Sequence, residues 1–283
     1  MKILITGGGG FIGRNLARLL PIYGHTVLAP TRQELDMTNL QMYQQYLGYN
    51  VPDAIIHTAF KGHFSAAKSE GDFLANLQMF ENLLFSDAYD RATIVFGSGS
   101  EFDRRFVIDK VNEPDVFREW PIDLYGLSKN IITRRLLEGK LQDDMEISNP
   151  YLLRLFGCFG PDEPDFRFIK RSITRLKQGL PIEIHQDKFM DFFYIDDVAA
   201  VVNEVVTKQH DTMAHMNLVY SEKVTLGQIA KTICKCMNVP ENIVVKFKGD
   251  GGAYTGNGIR LKTHNIDLYG LEQGIARMVK DLA

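Results

Sequence analysis

Cysteine is scarce in this chain: three residues in 283, at Cys158, Cys234 and Cys236, with no C-x-x-C spacing. An odd, sparse set excludes a disulfide framework and a cysteine-rich zinc site, and it fits a reducing compartment. Cys234 and Cys236 read as small residues of one helix, His63 and His185 stand alone, and no metal site is expected. Charge of one sign is also lacking. Lysine and arginine number 32 against 35 acidic residues, a net charge of −3. No basic run offers a nucleic-acid footprint or a patch for an anionic membrane. Long apolar runs are missing too. Met1-Lys2 is followed by only three apolar residues before Thr6, and the stretch 198–206 is broken by Asn203 and Glu204. Neither a signal-peptide core nor a membrane span fits such segments. The expectation is a cytoplasmic protein with neither a nucleic-acid nor a membrane partner.

What the chain does have is a regular alternation. Short β-rich runs recur at 2–5, 26–29, 54–57, 93–96 and 151–156. Between them, 11–20, 40–47, 73–85 and 125–137 carry apolar residues at three- and four-residue spacing, the period of a helix with one buried face. Strands that are apolar throughout are buried on both faces. Alternating with helices, they imply βαβ units and a doubly wound α/β fold around a parallel sheet. Beyond Pro161 the texture changes. A loop-like GPDEPDF precedes a helix at 168–178 and a strand at 180–184. Asp196 and Thr225 read as N-caps of helices running to 207 and 237, while the glycine-rich stretch 248–264 shows no clear pattern. The predicted organisation is a large nucleotide-type domain at 1–160, to which 193–220 returns, and a smaller C-terminal α/β lobe in 161–283.

Gly7, Gly10 and Gly13 form G-x-x-G-x-x-G directly after the first strand. At that place one glycine permits the turn, one lets backbone approach a pyrophosphate, and one lets helix pack on strand. The helix N-terminus supplies N–H groups to the phosphates. The tip of the second strand, LAPTRQELD, carries no acid to accept from a ribose 2′-hydroxyl, and Arg32 follows shortly after. An arginine there suits a 2′-phosphate, which favours NADP, with NAD as the alternative.

The segment DLYGLSKN sets Tyr125 and Lys129 on one helix face, four residues apart. Upstream, VFGSGSEF ends a strand at Ser98 and Ser100. A lysine ammonium beside a phenol favours phenolate and draws its pKa toward neutrality. Such a tyrosine exchanges a proton with an alcohol or ketone oxygen that a serine hydroxyl holds.

With these residues in place the chain resembles the extended short-chain dehydrogenase/reductase, or NAD-dependent epimerase/dehydratase, family. The matching segments are TGGGGFIG, PDAIIHTAF, FGSGSEF, YGLSK, LRLFGCFGP and DFFYIDDVA, in that order, followed by NLVYSEKVTLGQIAK. The resemblance implies a Rossmann domain binding NAD(P), a C-terminal lobe binding a nucleotide-activated sugar, and a centre made of Ser98, Tyr125 and Lys129. It implies Gly7, Gly10, Phe11 and Ile12 along the pyrophosphate and Asp36 and Met37 beside the adenine. Ala59, Phe60, Lys61 and Leu155 would lie along the rest of the cofactor. It also implies a homodimer, paired through the helices at 73–85 and 125–137.

Within the family, TRQELDMTN looks most like the GDP-fucose synthase branch of nucleotide-sugar 4-ketoreductases, yet the departures matter. That branch has an acid/base cysteine two residues after the serine, where this chain has Ser100. The branch's partnering histidine falls at Arg167, which stays charged. The 4,6-dehydratase branch has Asp-Glu where this chain has Gly99 and Ser100. Met190 replaces a usual arginine and Gly157 a usual asparagine. What remains is redox at one carbon: NADPH-dependent reduction of a nucleotide-linked 4-keto-6-deoxysugar at C4. Ser98 and Ser100 would touch the sugar, and Arg167, Lys170 and Arg171 would meet the diphosphate. A C4-epimerase holding NAD tightly, and a non-catalytic NADP-binding regulator, are the alternatives. Of the remaining residues, His57 reads as structural, Glu101 is left without a role, and Asn76 is a candidate anchor for backbone at the site.

Overall fold

The architecture comes from a computed structural model that describes residues 1–62, 69–84, 91–142, 149–208 and 215–282. The first half alternates β1 (Lys2–Thr6), α1 (Phe11–Leu19), β2 (Thr26–Leu28), α2 (Leu40–Tyr49), β3 (Ala54–His57), α3 (Glu70–Leu84) and β4 (Ala92–Ser98). A short β5 (Ile108–Val111) precedes α4 (Leu124–Gln142) and β6 (Asn149–Leu155). Then come β7 (Cys158–Phe159), α5 (Phe168–Lys177), β8 (Ile182–Gln186), β9 (Phe189–Met190) and β10 (Phe193–Tyr194). The chain closes with α6 (Ile195–Lys208), β11 (His215–Leu218), α7 (Leu226–Met237), β12 (Ile243–Phe247), β13 (Ala253–Gly256), α8 (Ile259–Thr263) and α9 (Gly270–Asp281).

Among the described residues the main sheet has six strands in the order β11-β6-β4-β3-β1-β2, all parallel. Its strands are apolar on both faces, as a sheet covered on both sides requires. Successive residues enter opposite cores. Ile3, Ile5, Ile56, Ile94, Phe96 and Leu153 pack on one side, with α1 and α6. Leu4, Ile55, Val95 and Leu152 pack on the other, with α2, α3 and α4. The chain leaves β1 for β2 on one side and later returns to β3 on the other. That reversal opens a crevice beyond the carboxyl ends of β1, β3 and β4.

A third, smaller core of Phe102, Ile108, Val116, Phe156, Val219 and Tyr254 lies behind this crevice. It is framed by a parallel sheet of β5, β13 and β9. The glycine-rich stretch 248–264 thus contains β13 and α8, its strand held by pairing with β5 and β9 rather than by side-chain pattern.

Most predicted elements lie within a few residues of those observed, and the differences have local causes. The strand expected at 180–184 begins at Ile182, because Pro181 has no N–H to give to a ladder. Thr225 caps α7 through a box with Gln228, as its spacing predicts. Asp196 is not the cap of α6: the helix starts at Ile195, and Asp196 and Asp197 sit in its first turn. Asp197 instead accepts the Tyr269 and Gly270 N–H groups at the start of α9. The predicted end of the third helix at Phe85, and His63, lie outside the described residues. Among the described residues, no helix is long and apolar enough to cross a membrane.

Candidate active site

Two cavities meet in the crevice. The first, of about 460 Å³, is lined by Ser98, Ser100, Tyr125, Lys129, Phe11, Ile12, Leu155 and Arg167 among others. The second, of about 490 Å³, is lined by Gly7, Gly10, Arg32, Asp36, Met37, Ala59, Phe60 and Lys61. Thr58 and Phe60 belong to both walls, so the two spaces adjoin.

Ser98 is the last residue of β4 and the cap of the 3-10 turn that follows. Its hydroxyl oxygen accepts the Ser100 N–H at 3.2 Å, and its own N–H donates to Glu101 Oε1 at 2.6 Å. With an oxygen lone pair occupied, the hydroxyl is left to donate its proton. Tyr125 lies in the first turn of α4, and Gly126 lets that helix come close. A Cβ at Gly126 would stand 2.3 Å from the Ser100 carbonyl oxygen. Asp123 fixes the same turn by accepting the Gly126 N–H at 2.8 Å. The phenol consequently interacts with the Ser98 hydroxyl. One turn on, Lys129 Nζ donates to the Phe96 carbonyl at 2.7 Å and lies 4.1 Å from the centroid of the Phe60 ring. Phe60 in turn meets Tyr125 edge-on, centroids 5.3 Å apart.

Burial governs the protons here. It holds the Tyr125 phenol above its ordinary value, against the opposing Ser98 hydrogen bond and Arg167 charge. The expectation that Lys129 would draw the phenol toward neutrality is therefore corrected: in this arrangement desolvation wins. Burial also lowers Lys129 to about 8, against the opposing charge of Glu101. His57 is lowered to about 3, by burial first and then by the Lys129 charge. Its Nδ1 shares a 2.8 Å hydrogen bond with the Thr6 hydroxyl, the structural part expected of it.

Glu101 is the main residue that sequence reasoning passed over. It is fully buried, and its Oε2 binds Arg154, itself fully buried, at 2.7 Å and accepts from Thr133 Oγ1 at 2.8 Å. Its Oε1 holds the Ser98 backbone. The carboxylate thus ties the end of β4 to β6 and α4. Asn76 is the expected anchor: its Oδ1 accepts the Lys61 N–H at 2.7 Å and its Nδ2 donates to the Lys61 carbonyl at 3.0 Å.

The second cavity fits a dinucleotide. A Cβ at Gly7 would stand 2.5 Å from Ala59 backbone, and one at Gly13 2.5 Å from the Gly7 carbonyl, so only glycine allows the loop to close on β3. Gly9 faces open space, and Gly10 caps α1 without a side chain. The first-turn N–H groups of α1 lack helical acceptors and face an anion's natural seat. Arg32, on the rim, pairs with Asp36 at 3.1 Å and is two-thirds exposed (67%).

Of the residues expected to meet substrate, Ser98, Ser100 and Arg167 line the first cavity, and Lys170 and Arg171 line neither. Lys170 is engaged elsewhere, with Asp165 at 2.9 Å and the Glu163 carbonyl at 2.9 Å. Arg104, Phe156, Phe166 and Tyr254 complete the wall and were not legible. Arg104 and Tyr254 reach each other across 150 positions of chain, which no local pattern signals.

Residues 3–218 match the model of the NAD dependent epimerase/dehydratase family. The chain is 41% identical over 150 residues to a GDP-L-fucose synthase of Azorhizobium caulinodans, covering 53% of this chain but only 40% of that protein. It is 25% identical over 256 residues to a GDP-L-colitose synthase of Yersinia pseudotuberculosis, covering 84% of this chain and 82% of the relative. In fold it is similar to a GDP-mannoheptose C4 reductase from Campylobacter jejuni with NADP bound. That structure has a TM-score of 0.82 at 18% identity, over 99% of this chain and 97% of the other.

Proposed function

Since the chain belongs to the NAD dependent epimerase/dehydratase family, we propose that it uses NADPH to reduce a nucleotide-linked 4-keto-6-deoxysugar at C4. The observation that carries this reading is the meeting of Ser98, Tyr125 and Lys129 at a cavity adjoining the glycine cradle. When bound, the nicotinamide supplies the hydride. The protein's part is to hold and move a proton. Ser98 donates a hydrogen bond to the sugar carbonyl and polarises it. Tyr125, kept protonated by burial, gives its proton to the oxygen as negative charge develops there. The phenolate left behind is stabilised by the charges of Lys129 and Arg167.

The lining supports reduction without further chemistry at neighbouring carbons. Among the described residues, no Asp or Glu lines the first cavity. The Cys158 thiol there is pushed up by burial and is a poor base. Ser100 receives the Arg104 guanidinium at 2.6 Å, and the Arg167 guanidinium offers donors but no acceptor. Deprotonation at C3 or C5 needs a base, and the neutral imidazole in the lining, His57, is held by Thr6 and lowered by burial to about 3, too weak for that task.

In the same reading 1–160 and 193–220 form the dinucleotide-binding domain and the rest of 161–283 the substrate lobe. Two copies pair through α3 and α4 as a cytoplasmic homodimer. The test is NADPH oxidation, followed spectrophotometrically, with CDP-, dTDP-, GDP- and UDP-linked 4-keto-6-deoxysugars. One should turn over, and Tyr125→Phe should abolish that turnover while retaining NADPH binding. Turnover of none, or tightly bound NAD with isomerisation and no net NADPH consumption, overturns the reading.

A further inference from the structure

The hydroxyl of Tyr254 enters the reaction cavity from the far end of the chain, and no step of the reduction uses it. Strand β13 brings it there. The Asp191 N–H donates to the Tyr254 carbonyl at 3.2 Å, and the Asp191 carboxylate accepts the Gly256 N–H at 2.9 Å. That carboxylate is held in turn by the Lys223 ammonium at 2.8 Å, with both side chains buried. The Tyr254 ring meets Phe156 edge-on, centroids 5.4 Å apart. Gly99 admits the phenol, since a Cβ there would stand 2.8 Å from its oxygen. Backbone and ring together fix where the hydroxyl points.

At its tip the protons can be counted. Arg104 donates to Ser100 Oγ at 2.6 Å and, from farther off, to the Tyr254 oxygen at 3.4 Å. The two hydroxyl oxygens lie 3.2 Å apart. A guanidinium carries donors and no acceptor, so neither hydroxyl gives its proton to Arg104. One hydroxyl donates to the other, and one O–H is left over. Among the described residues it has no acceptor. The distances set the direction. Ser100 is gripped more closely by the guanidinium and is 1% exposed, so it is the inner member and passes its proton to the phenol oxygen. Arg104 N–H, Ser100 O–H and Tyr254 O–H then form one relay, each donor strengthened by the one behind it. The phenol proton at its end faces the cavity.

We propose that Tyr254 is a specificity residue whose O–H reads the 3-hydroxyl of the 4-keto-6-deoxysugar. The inference rests on the reductase reading above. With the C4 carbonyl at Ser98 and Tyr125, the two neighbouring carbons differ: C5 carries a methyl group and C3 a hydroxyl. Tyr254 stands beside the carbonyl's seat, because Ser100 bridges them. Its N–H donates to Ser98 Oγ at 3.2 Å, and its own hydroxyl meets the phenol. An O–H without a protein acceptor belongs against the neighbour that can accept. Phe156 and Met190, apolar parts of the same wall, suit the methyl side. A sugar with no oxygen at C3 leaves this buried donor unpaired, and that penalty is what discriminates.

The test is initial-rate NADPH oxidation by the full-length protein with CDP-, dTDP-, GDP- and UDP-linked 4-keto-6-deoxyhexoses, each beside its 3-deoxy counterpart. The wild type should favour the 3-hydroxy sugar in kcat/KM by about tenfold or more. In Tyr254→Phe that preference should shrink to about twofold or less, the loss falling on KM for the 3-hydroxy sugar rather than on kcat. A purely structural part would weaken both sugars alike. Ser100→Ala, which breaks the relay behind the phenol, should shrink the preference in the same direction and serves where Tyr254→Phe fails to fold. No preference in the wild type, a preference that survives in both variants, or equal losses for both sugars overturns the part given to Tyr254 and leaves the reductase reading standing. Turnover of none of these sugars overturns both.

Discussion

Lys129 offers the sharpest check on the chemistry. Desolvation lowers its ammonium to about 8, where an exposed lysine stands near 10.5. The sign follows directly. Below pH 8 the group is charged and stabilises the phenolate that Tyr125 becomes; above it the charge is lost. At pH 7 about nine-tenths of the molecules carry the charge, and at pH 9 about one-tenth. Because kcat/KM reports groups of the free enzyme, it should fall about tenfold between pH 7 and 9 and tenfold per unit beyond. An unperturbed lysine would leave that range flat. The limb cannot belong to Tyr125, which burial holds above its ordinary value near 10. Lys129→Arg keeps a cation at every accessible pH, so the limb near 8 should vanish even if the rate is lower. Lys129→Met should lose about 10²-fold at pH 7, as removal of one charge-stabilising donor does. The assay is initial-rate NADPH oxidation across pH 6 to 10, with circular dichroism confirming the fold at each pH. A wild-type profile flat to pH 9.5, or an inflection near 8 surviving in Lys129→Arg, refutes the assignment.

Other consequences are as testable. Gly126→Ala puts a methyl 2.3 Å from the Ser100 carbonyl oxygen. It should cost about 1–3 kcal/mol in melting experiments and lower kcat more than stability explains; unchanged turnover would show that the approach of α4 is not critical. Arg32→Ala should raise the Kd of NADPH about 10- to 100-fold and leave NADH unaffected, and equal losses for both would remove Arg32 from the 2′-phosphate. His57, lowered to about 3 in the fold, is neutral there while the unfolded chain takes up a proton below pH 6.5. As pH falls, stability should therefore decline by about 1.4 kcal/mol per unit on its account, about 2 kcal/mol by pH 5. Urea melts of His57→Gln should lack that part of the slope, and identical slopes would place the proton elsewhere.

The alternation of strand and helix was legible because burial on both faces makes each central strand a continuous apolar run, as in Ala54–His57. The glycine loop was legible for a related reason: Gly7 and Gly13 are the residues whose Cβ atoms would collide. Tyr125 and Lys129 share one helix, so their spacing carries their geometry. What sequence concealed depends on contacts between distant segments. Glu101 and Arg154 meet across 53 positions, and neither lies in a pattern that foretells a buried pair. Sequence alone does not say which side of α5 faces a cleft, and Lys170 and Arg171 line neither cavity. The small sheet of β5, β13 and β9 has strands too short for any periodicity to register. The proton balance of Tyr125 depends on how much water the finished fold leaves around it, a property of the whole cavity.

The ion pair of Glu101 and Arg154 bears on how this enzyme can diverge. Exchanging either partner alone strands a lone charge in a dry interior, a loss of about 3–5 kcal/mol, a large share of a typical domain's stability. Exchanging both for apolar residues of similar volume can leave stability near where it started, but releases the amide behind Ser98. Drift at these two positions must therefore proceed by paired steps, and each such step also resets the aim of the hydroxyl at the reaction centre.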